Sequence, residues 1–308
     1  AEVVVTWSDR LRDQLADEAG IDAGPELHRK YRDSFPPGYQ ADVTPREACS
    51  DVNRIEEMIA SGAPRTVELY EPEGCEPGHM HFMVYSFDDP LLLADAFPVL
   101  EDMGVDVYTE HPYELQLESG QSFWIQDFHL RNKGGGQLDR NVVAPRFEEC
   151  FMKALAGTVE SDGLNRLILS AKLNARQTTL LRCYMKYLLQ LGMPFSQTYM
   201  EETLASNPEI AWLLVRLFVR RFDPSQEGAN PQAMTEVELA AEIERLLEQW
   251  FRADDGGWLI PRDYRLDVRE IGRLQAGEGP DGDPGDLEKT DRAAMACIDP
   301  QRRAEDRD

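Results

Sequence analysis

One cysteine and two histidines form the pattern in this sequence that most resembles a metal site. Cys75, His79 and His81 are spaced C-x3-H-x-H, and the two histidines share a face of a predicted strand. Zinc accepts such ligands but needs a fourth donor, and no second Cys/His pair lies nearby in the sequence. The pattern also fits a solvated strand start after the loop EPEGCEPG, and on this interpretation we predict no metal site.

Two consecutive carboxylates, Asp88 and Asp89, lie where a predicted strand gives way to a predicted helix. Carboxylates at such a junction commonly accept hydrogen bonds from the free N–H groups of the first helical turn. With Pro90 at the first turn, the local pattern favours this capping role.

Other residues that could carry chemistry lack the partners that chemistry needs. The sequence has no GxGxxG, and KGGGQ at 133–137 follows a strand without opening a helix, so it is interpreted as a linker. Asp162 and Asn165 of the segment DGLNR can start a helix and tie loops between domains, but no partner base is apparent. The remaining histidines, His28, His111 and His129, are isolated in the sequence. We predict no catalytic and no cofactor-binding residue.

Composition limits the partners and the compartment. The formal net charge is −25, from 57 acidic and 32 basic residues, which argues against a nucleic-acid partner. The five cysteines are widely spaced without CxxC, a usage typical of a reduced, cytoplasmic setting. No secretion signal and no apolar stretch long enough to span a bilayer is visible, so no membrane partner is expected.

The centre of the chain alternates between strand and helix patterns. TVELYEP, HMHFMVYSF, VDVYTEHPYELQL and SFWIQDFHLR predict strands, and DDPLLLADAFPVLEDMG predicts a helix after the second strand. Pro98 allows a kink or a late start of that helix. With a further helix in RFEECFMKALAG, the order predicts an α+β fold with an antiparallel sheet. Trp124 and Phe128 alternate with Phe123, Ile125 and Asp127, which predicts that one sheet face packs on helices and the other on a neighbouring domain.

Helices with recognisable start signals flank this region. Thr6 or Ser8, Thr44 with Glu47, Asn174 with Gln177, Ser196 and Asn207 are the predicted N-caps. Gly20 is a predicted stop, SFPPGYQADV a predicted loop, and Ala48, Val52, Ile55 and Ile59 a predicted buried face. From Arg252 the sequence loses periodicity and becomes rich in Gly, Asp and Pro, which predicts disorder.

Several long segments together resemble the large bacterial NAD-specific glutamate dehydrogenases. They include FPPGYQADVTPREACSDVNRIE, LEDMGVDVYTEHPYEL, ESDGLNRLILSAKL and LLRCYMKYLLQLGMPFSQTYMEETLASNPEIAWLLVRLFVRRFDP, in the family's order, and cover roughly residues 5–250. The sequence after Trp250 departs from the family pattern, as a frameshift or a broken gene would make it do. The catalytic domain is expected to be absent, and no catalytic residue of the family is carried over.

The resemblance implies four regions: a helical segment at 1–65, an ACT-like α+β domain at 66–131, a helical-motif region at 145–251, and a disordered or aberrant tail at 252–308. The family's reaction converts L-glutamate, NAD and water to 2-oxoglutarate, ammonia and NADH. The resemblance implies a cytoplasmic regulatory or structural region of such an enzyme, which is inactive alone. Its expected partners are the rest of the dehydrogenase, as a homo-oligomer.

In ACT-like domains, effector amino acids often bind near a strand–helix loop. Asp88 and Asp89 are therefore the candidate effector-binding residues, with helix capping as the favoured alternative. The alternative for the whole chain is a free-standing amino-acid-binding regulatory protein.

Overall fold

The computed structural model describes residues 5–72, 74–136, 138–193, 195–224 and 233–253. The chain divides into two compact units, Ala1–Ser161 and Asp162–Asp308. Of the tail predicted at 252–308, Arg252 and Ala253 end a helix, and the part from residue 254 onward lies outside the described residues. No helix within those ranges is long and apolar enough to cross a membrane.

The first unit is built on an antiparallel sheet with the strand order β1-β2-β4-β3. Its strands are β1 Arg65–Tyr70, β2 His79–Phe87, β3 Val105–Gln116 and β4 Ser122–Asn132. Five helices accompany them: α1 Trp7–Tyr31, α2 Pro37–Asp42, α3 Pro45–Ser61, α4 Leu93–Asp102 and α5 Arg140–Leu155. The predicted α+β class is confirmed, and β2 has the bounds of the segment HMHFMVYSF.

Helices α4 and α5 cover one face of the sheet. Phe82 on β2 makes edge-to-face contacts with Phe147 and Phe151 of α5, at ring-centroid distances of 5.4 and 4.7 Å. All three rings are fully buried. Burial of such a side chain stabilises the fold by about 1.5–3 kcal/mol, so these rings attach α5 firmly to β2.

The other face of the sheet carries the helices α1–α3. Tyr85, Ile125 and Phe123 form one core with residues of these helices, among them Leu11, Tyr39 and Val52. Both faces are therefore packed on helices of the same compact unit, whereas a neighbouring domain was predicted on one of them. The cause is the alternation along β4, which sends Phe128 to one helical layer and Ile125 to the other.

Start signals in the first unit are mostly as predicted, and one predicted loop is helical. Thr6 and Thr44 form capping boxes with Asp9 and Glu47. The helical backbone is broken at the predicted stop Gly20, with φ 90° and ψ 170°, and a second helical stretch of α1 follows it. The segment predicted as a loop contains α2. Ile59 is exposed, and Met58 is buried in its place, because the buried face of α3 follows the helical twist.

The second unit is helical. It contains a 3₁₀ turn at Gly163–Arg166, followed by α6 Leu167–Ser170, α7 Ala175–Gln190, α8 Gln197–Ser206, α9 Pro208–Phe222 and α10 Glu236–Ala253. The predicted caps Asn174 and Ser196 are confirmed. Asn207 precedes α9 but does not cap it, since its amide donates to Thr203 O of α8.

Candidate functional site

The loop between β2 and α4 contains both candidate effector residues. Asp88 has a left-handed backbone, with φ 63°, which Asp tolerates better than most side chains. Its N–H donates to Ser122 O at 2.9 Å, and its carbonyl accepts from Nε1 of Trp124 at 3.1 Å. Two residues of β4 thus hold the backbone of Asp88 in place, and the side chain of Asp88 is exposed.

The favoured capping role of Asp88 and Asp89 is wrong. Helix α4 begins only at Leu93, and its N-cap residue, Leu92, has no side chain that can accept a hydrogen bond. The left-handed turn at Asp88 adds residues between strand and helix, so the carboxylates lie too early to reach the first helical turn. Both side chains are exposed, and among the described residues neither has a hydrogen-bond or ion-pair partner.

A buried amide on β4 fixes the end of this loop. Gln126, 2% exposed, accepts from Leu91 N–H at 2.7 Å and donates to Leu91 O at 3.0 Å. Its amide also donates to Oε1 of Glu110 on β3 at 3.0 Å. Because a buried amide that loses its partners is costly, this clamp holds the loop in one conformation.

A second group of chemically active side chains lies on the α1–α3 face of the sheet, beyond the helical core. His79, His81 and His129, together with Asp127, are called here the histidine cluster. The ring centroids of His81 and His129 are 5.0 Å apart and nearly parallel, and Nδ1 of His79 is 3.1 Å from Nε2 of His129. Nδ1 of His81 lies 2.8 Å from Oδ1 of Asp127.

The histidine cluster could not be recognised in the sequence, where His129 appears isolated. The antiparallel register places His129 directly opposite His81, although 48 residues separate them (129 − 81). The pattern of alternating histidines on β2 was visible, but its partner strand was not. Burial lowers the pKa of His129, the neighbouring His81 and His79 lower it further, and Asp127 opposes them.

A buried carboxylate lies under α3, where this helix meets the sheet. Asp51 accepts hydrogen bonds from the hydroxyls of Tyr39 and of Tyr85, the latter at 2.7 Å. Burial raises the pKa of Asp51 to about 6, although both hydrogen bonds lower it. Burial also raises the pKa of both tyrosines, which therefore remain neutral donors. Asp51 is therefore a carboxylate within the core that can take up a proton.

The segment DGLNR supports packing rather than reaction. Arg182 on α7 is buried and binds both carboxylate oxygens of Asp162, at 2.5 and 2.8 Å, and also Oδ1 of Asn165 at 2.8 Å. Asp162 in turn accepts from Leu164 N–H. Asp162 and Asn165 therefore join the 3₁₀ turn to α7 within the second unit, and the expected tie between domains stays a prediction.

The described residues do not fit a bound dinucleotide or a metal ion. After β4, the Gly134–Gly136 backbone turns around Asn132, whose side chain binds Gly134 N–H and Gly135 O. Helix α5 begins only at Arg140, so these glycines do not present a helix N-terminus to a phosphate. No group of three or more His, Cys, Asp or Glu in the described ranges is arranged to hold a metal.

Comparison with known proteins gives the family. Three family models match: glutamate dehydrogenase helical motif 2 at residues 14–58, its ACT3 domain at 64–143, and its helical motif 3 at 159–224. The ACT3 match contains the whole sheet with α4, and the helical-motif matches contain most of α1–α3 and of α7–α9.

Three bacterial relatives are called NAD-specific glutamate dehydrogenase. The protein of Halomonas elongata is 35% identical over 220 residues, which are 71% of this chain and 14% of that protein. That of Pseudomonas aeruginosa is 31% identical (70% and 13%), and that of Mycobacterium tuberculosis 32% identical (78% and 15%). The chain belongs to the family of large NAD-specific glutamate dehydrogenases and spans about one seventh of the length of these relatives.

Proposed function

We propose that this chain is a regulatory and structural region of an NAD-dependent glutamate dehydrogenase. The parent reaction would convert L-glutamate, NAD and water to 2-oxoglutarate, ammonia and NADH, with NAD bound outside the residues described. The partners would be the rest of the enzyme and further copies of it. The proposed compartment is the cytoplasm, in keeping with five widely spaced cysteines and no CxxC in the sequence.

The observation that carries the proposal is the β2–α4 loop of the ACT3 domain. It presents two exposed carboxylates, Asp88 and Asp89, on a backbone fixed by Trp124 and Gln126. A rigid loop with unpaired carboxylates is suited to an ammonium group, because little ordering entropy is lost on binding. We therefore propose that the loop binds the amino group of an amino-acid effector.

Calorimetry on the whole chain tests this role. Titration with L-glutamate, L-aspartate and other amino acids is expected to give saturable binding of at least one of them. Asp88→Asn and Asp89→Asn each remove one charge, and Asn keeps the left-handed backbone accessible at position 88. Loss of a charged hydrogen bond of about 1.5–3 kcal/mol predicts affinity lower by roughly 10- to 100-fold.

The matched control is Asp139→Asn, which removes an exposed carboxylate next to α5 that makes no capping hydrogen bond. Its affinity for the effector should equal that of the unchanged chain. Binding that persists unchanged in the Asp88 and Asp89 variants would refute the loop as the site. Absence of binding to every amino acid would leave this region an assembly element alone.

The alternative is a free-standing amino-acid-binding regulatory protein. Association of this chain with the rest of a dehydrogenase distinguishes the two roles. A region of a dehydrogenase should associate with the remaining segment of a related enzyme, supplied as a separate chain, and the effector should change that association. A free-standing sensor should bind its amino acid with the same affinity whether or not that segment is present.

A further inference from the structure

The hydrogen bond between His79 and His129 limits the number of protons this pair can hold. Nδ1 of His79 and Nε2 of His129 are 3.1 Å apart, and a bond between two imidazole nitrogens needs one N–H and one lone pair. The bond therefore exists only while at least one of the two rings is neutral. His81 differs, because its Nδ1 faces the carboxylate of Asp127 and keeps that bond when the ring is charged.

Charged residues on several strands and helices lie around the histidine cluster. Glu76, before β2, has Oε2 3.7 Å from Nε2 of His79, but its side chain is 86% exposed. Arg131 on β4 is bound to Asp106 on β3, and its guanidinium lies 5.1 Å from the ring centroid of Tyr108. Further ionisable groups near the cluster are His111 on β3, Glu68 and Tyr70 on β1, and Glu47 and Asp51 on α3.

Few of the surrounding carboxylates are left to compensate the positive charge of a doubly protonated His79–His129 pair. Asp127 is already bound to His81, and Asp106 is already bound to Arg131. Glu76 is the remaining close carboxylate, and its exposure to water weakens its attraction. Two facing N–H groups with no acceptor between them then repel each other.

We propose that the histidine cluster is a proton-dependent binding site for a small oxyanion, either a carboxylate or a tetrahedral oxyanion. Once both His79 and His129 are protonated, an oxyanion beside them accepts a charged hydrogen bond from each ring and replaces the bond that they lose. The two donor rings are only partly buried, since the side chain of His79 is 18% exposed and His129 is half-buried, so the pair reaches the surface. The site is separate from the β2–α4 loop and does not depend on its proposed role.

An anion fits the cluster better than a metal cation does. In the part of the chain that the structure describes, no three potential ligands converge for a metal. Four of the five histidines in a chain of net charge −25 lie on this face, His111 being opposite Asp127 in the register. Positive charge that appears on protonation is thus concentrated at one place, with Arg131 at its margin.

Histidine NMR on the full chain, with sulfate as the probe, tests the proposal. Imidazole ¹⁵N and carbon-bound ¹H signals are followed from pH 8 to 5 in sodium chloride and in sodium sulfate of equal ionic strength. Bound anion favours the protonated rings, so sulfate should raise the titration midpoints of His79 and His129 by about half a pH unit, a roughly threefold affinity difference. His28 on α1, bonded to Ser8 Oγ, should not shift.

Replacing sulfate by glutarate separates the two anion classes. If the midpoints of His79 and His129 rise only when sulfate is present, the site is assigned to tetrahedral oxyanions. If they rise only when glutarate is present, it is assigned to carboxylates. Equal midpoints in chloride and in both anions overturn the proposal. An equal rise at His28 overturns it too, because the effect is then a general one of the salt.

Two variants locate the effect. His129→Phe keeps a ring beside His81 and removes both nitrogens, and it should abolish the sulfate-dependent rise at His79. His28→Phe is the matched control and should leave that rise unchanged. A full rise at His79 in a folded His129→Phe chain overturns the proposal, and if that variant does not fold, the unchanged chain still decides by its midpoints in chloride and sulfate.

Discussion

At the scale of single residues, a buried carboxylate of the first unit makes stability depend on pH. Asp51 has a pKa of about 6 in the folded chain, compared with an ordinary value of 3.8. A folded pKa raised in this way means that the native state binds the proton more tightly than the unfolded state does. The stability contributed by the protonated form is complete below pH 3.8 and is lost as the pH rises through 6.

Asp51→Asn should remove this pH dependence. The rise of the Asp51 pKa from 3.8 to about 6 corresponds to a free energy of about 2–3 kcal/mol. Relative to the unchanged chain, the variant should therefore gain about 2 kcal/mol of unfolding free energy between pH 4 and pH 7. Urea unfolding of both chains at each pH, followed by circular dichroism, measures the difference.

Exposed Asp139→Asn is the control for the loss of a carboxylate as such, and its unfolding curves should parallel those of the unchanged chain. Parallel curves for Asp51→Asn as well would mean that the buried carboxylate is not a source of the pH dependence. Asp127 and Glu68 raise the pKa of Asp51, so removing these carboxylates should move the loss of unfolding free energy to lower pH.

At the scale of elements, Gln126 connects β4 to the loop before α4. Gln126→Ala removes the acceptor for Leu91 N–H and the donor to Leu91 O, and leaves both backbone groups in a buried place. Two unsatisfied groups at about 1–3 kcal/mol each predict a loop that opens rather than a uniformly weakened sheet.

Amide hydrogen exchange should show this local opening. Exchange at Leu91 and the neighbouring loop amides is expected to accelerate by roughly 10- to 100-fold, corresponding to about 1.4–2.7 kcal/mol, while amides at the centre of β2 stay protected. Gln116→Ala, which removes an exposed amide on β3 bonded only to Glu114 and Ser122, is the comparison. Equal acceleration across the sheet would contradict a local clamp.

The elements were largely predictable from the sequence, because strands of β-branched and aromatic residues and capped helices carry local signals. The β2–α4 junction was not, since local pattern favours Asp88 as a cap whereas contacts from Trp124 and Ser122 hold it in a left-handed turn. The histidine cluster also required the register of β2 against β4, which no single stretch of sequence contains. The four predicted region boundaries stay a prediction.

At the scale of the whole molecule, the chain divides into two compact units, and we expect each to respond separately to damage. Gly163 lies in the second unit, and a Cβ added there would be 2.7 Å from Oε2 of Glu201 and 3.2 Å from its Cβ. Gly163→Ala must therefore displace a buried glutamate that accepts from Gly163 N–H at 3.1 Å and from Gln197.

The expected cost of Gly163→Ala is about 1–3 kcal/mol, from loss of a buried hydrogen bond to a charged group. Calorimetric unfolding should show two transitions, of which the variant lowers only one, by several degrees. Gly38→Ala, where no atom lies within 4 Å of an added Cβ, is the control in the first unit and should change neither transition much. A single transition that moves as a whole in Gly163→Ala would mean that the two units unfold together.

The edges of the sheet have a consequence for aggregation. On β1, the N–H of Leu69 already donates to Oε1 of Glu148 at 2.9 Å, so part of that edge is occupied by a side chain. On β3, Pro112 has no N–H to offer, and the register slips between Val107 and Thr109. A strand of another molecule therefore has few free N–H groups in register to pair with at either edge, and we expect the sheet to resist edge-to-edge aggregation.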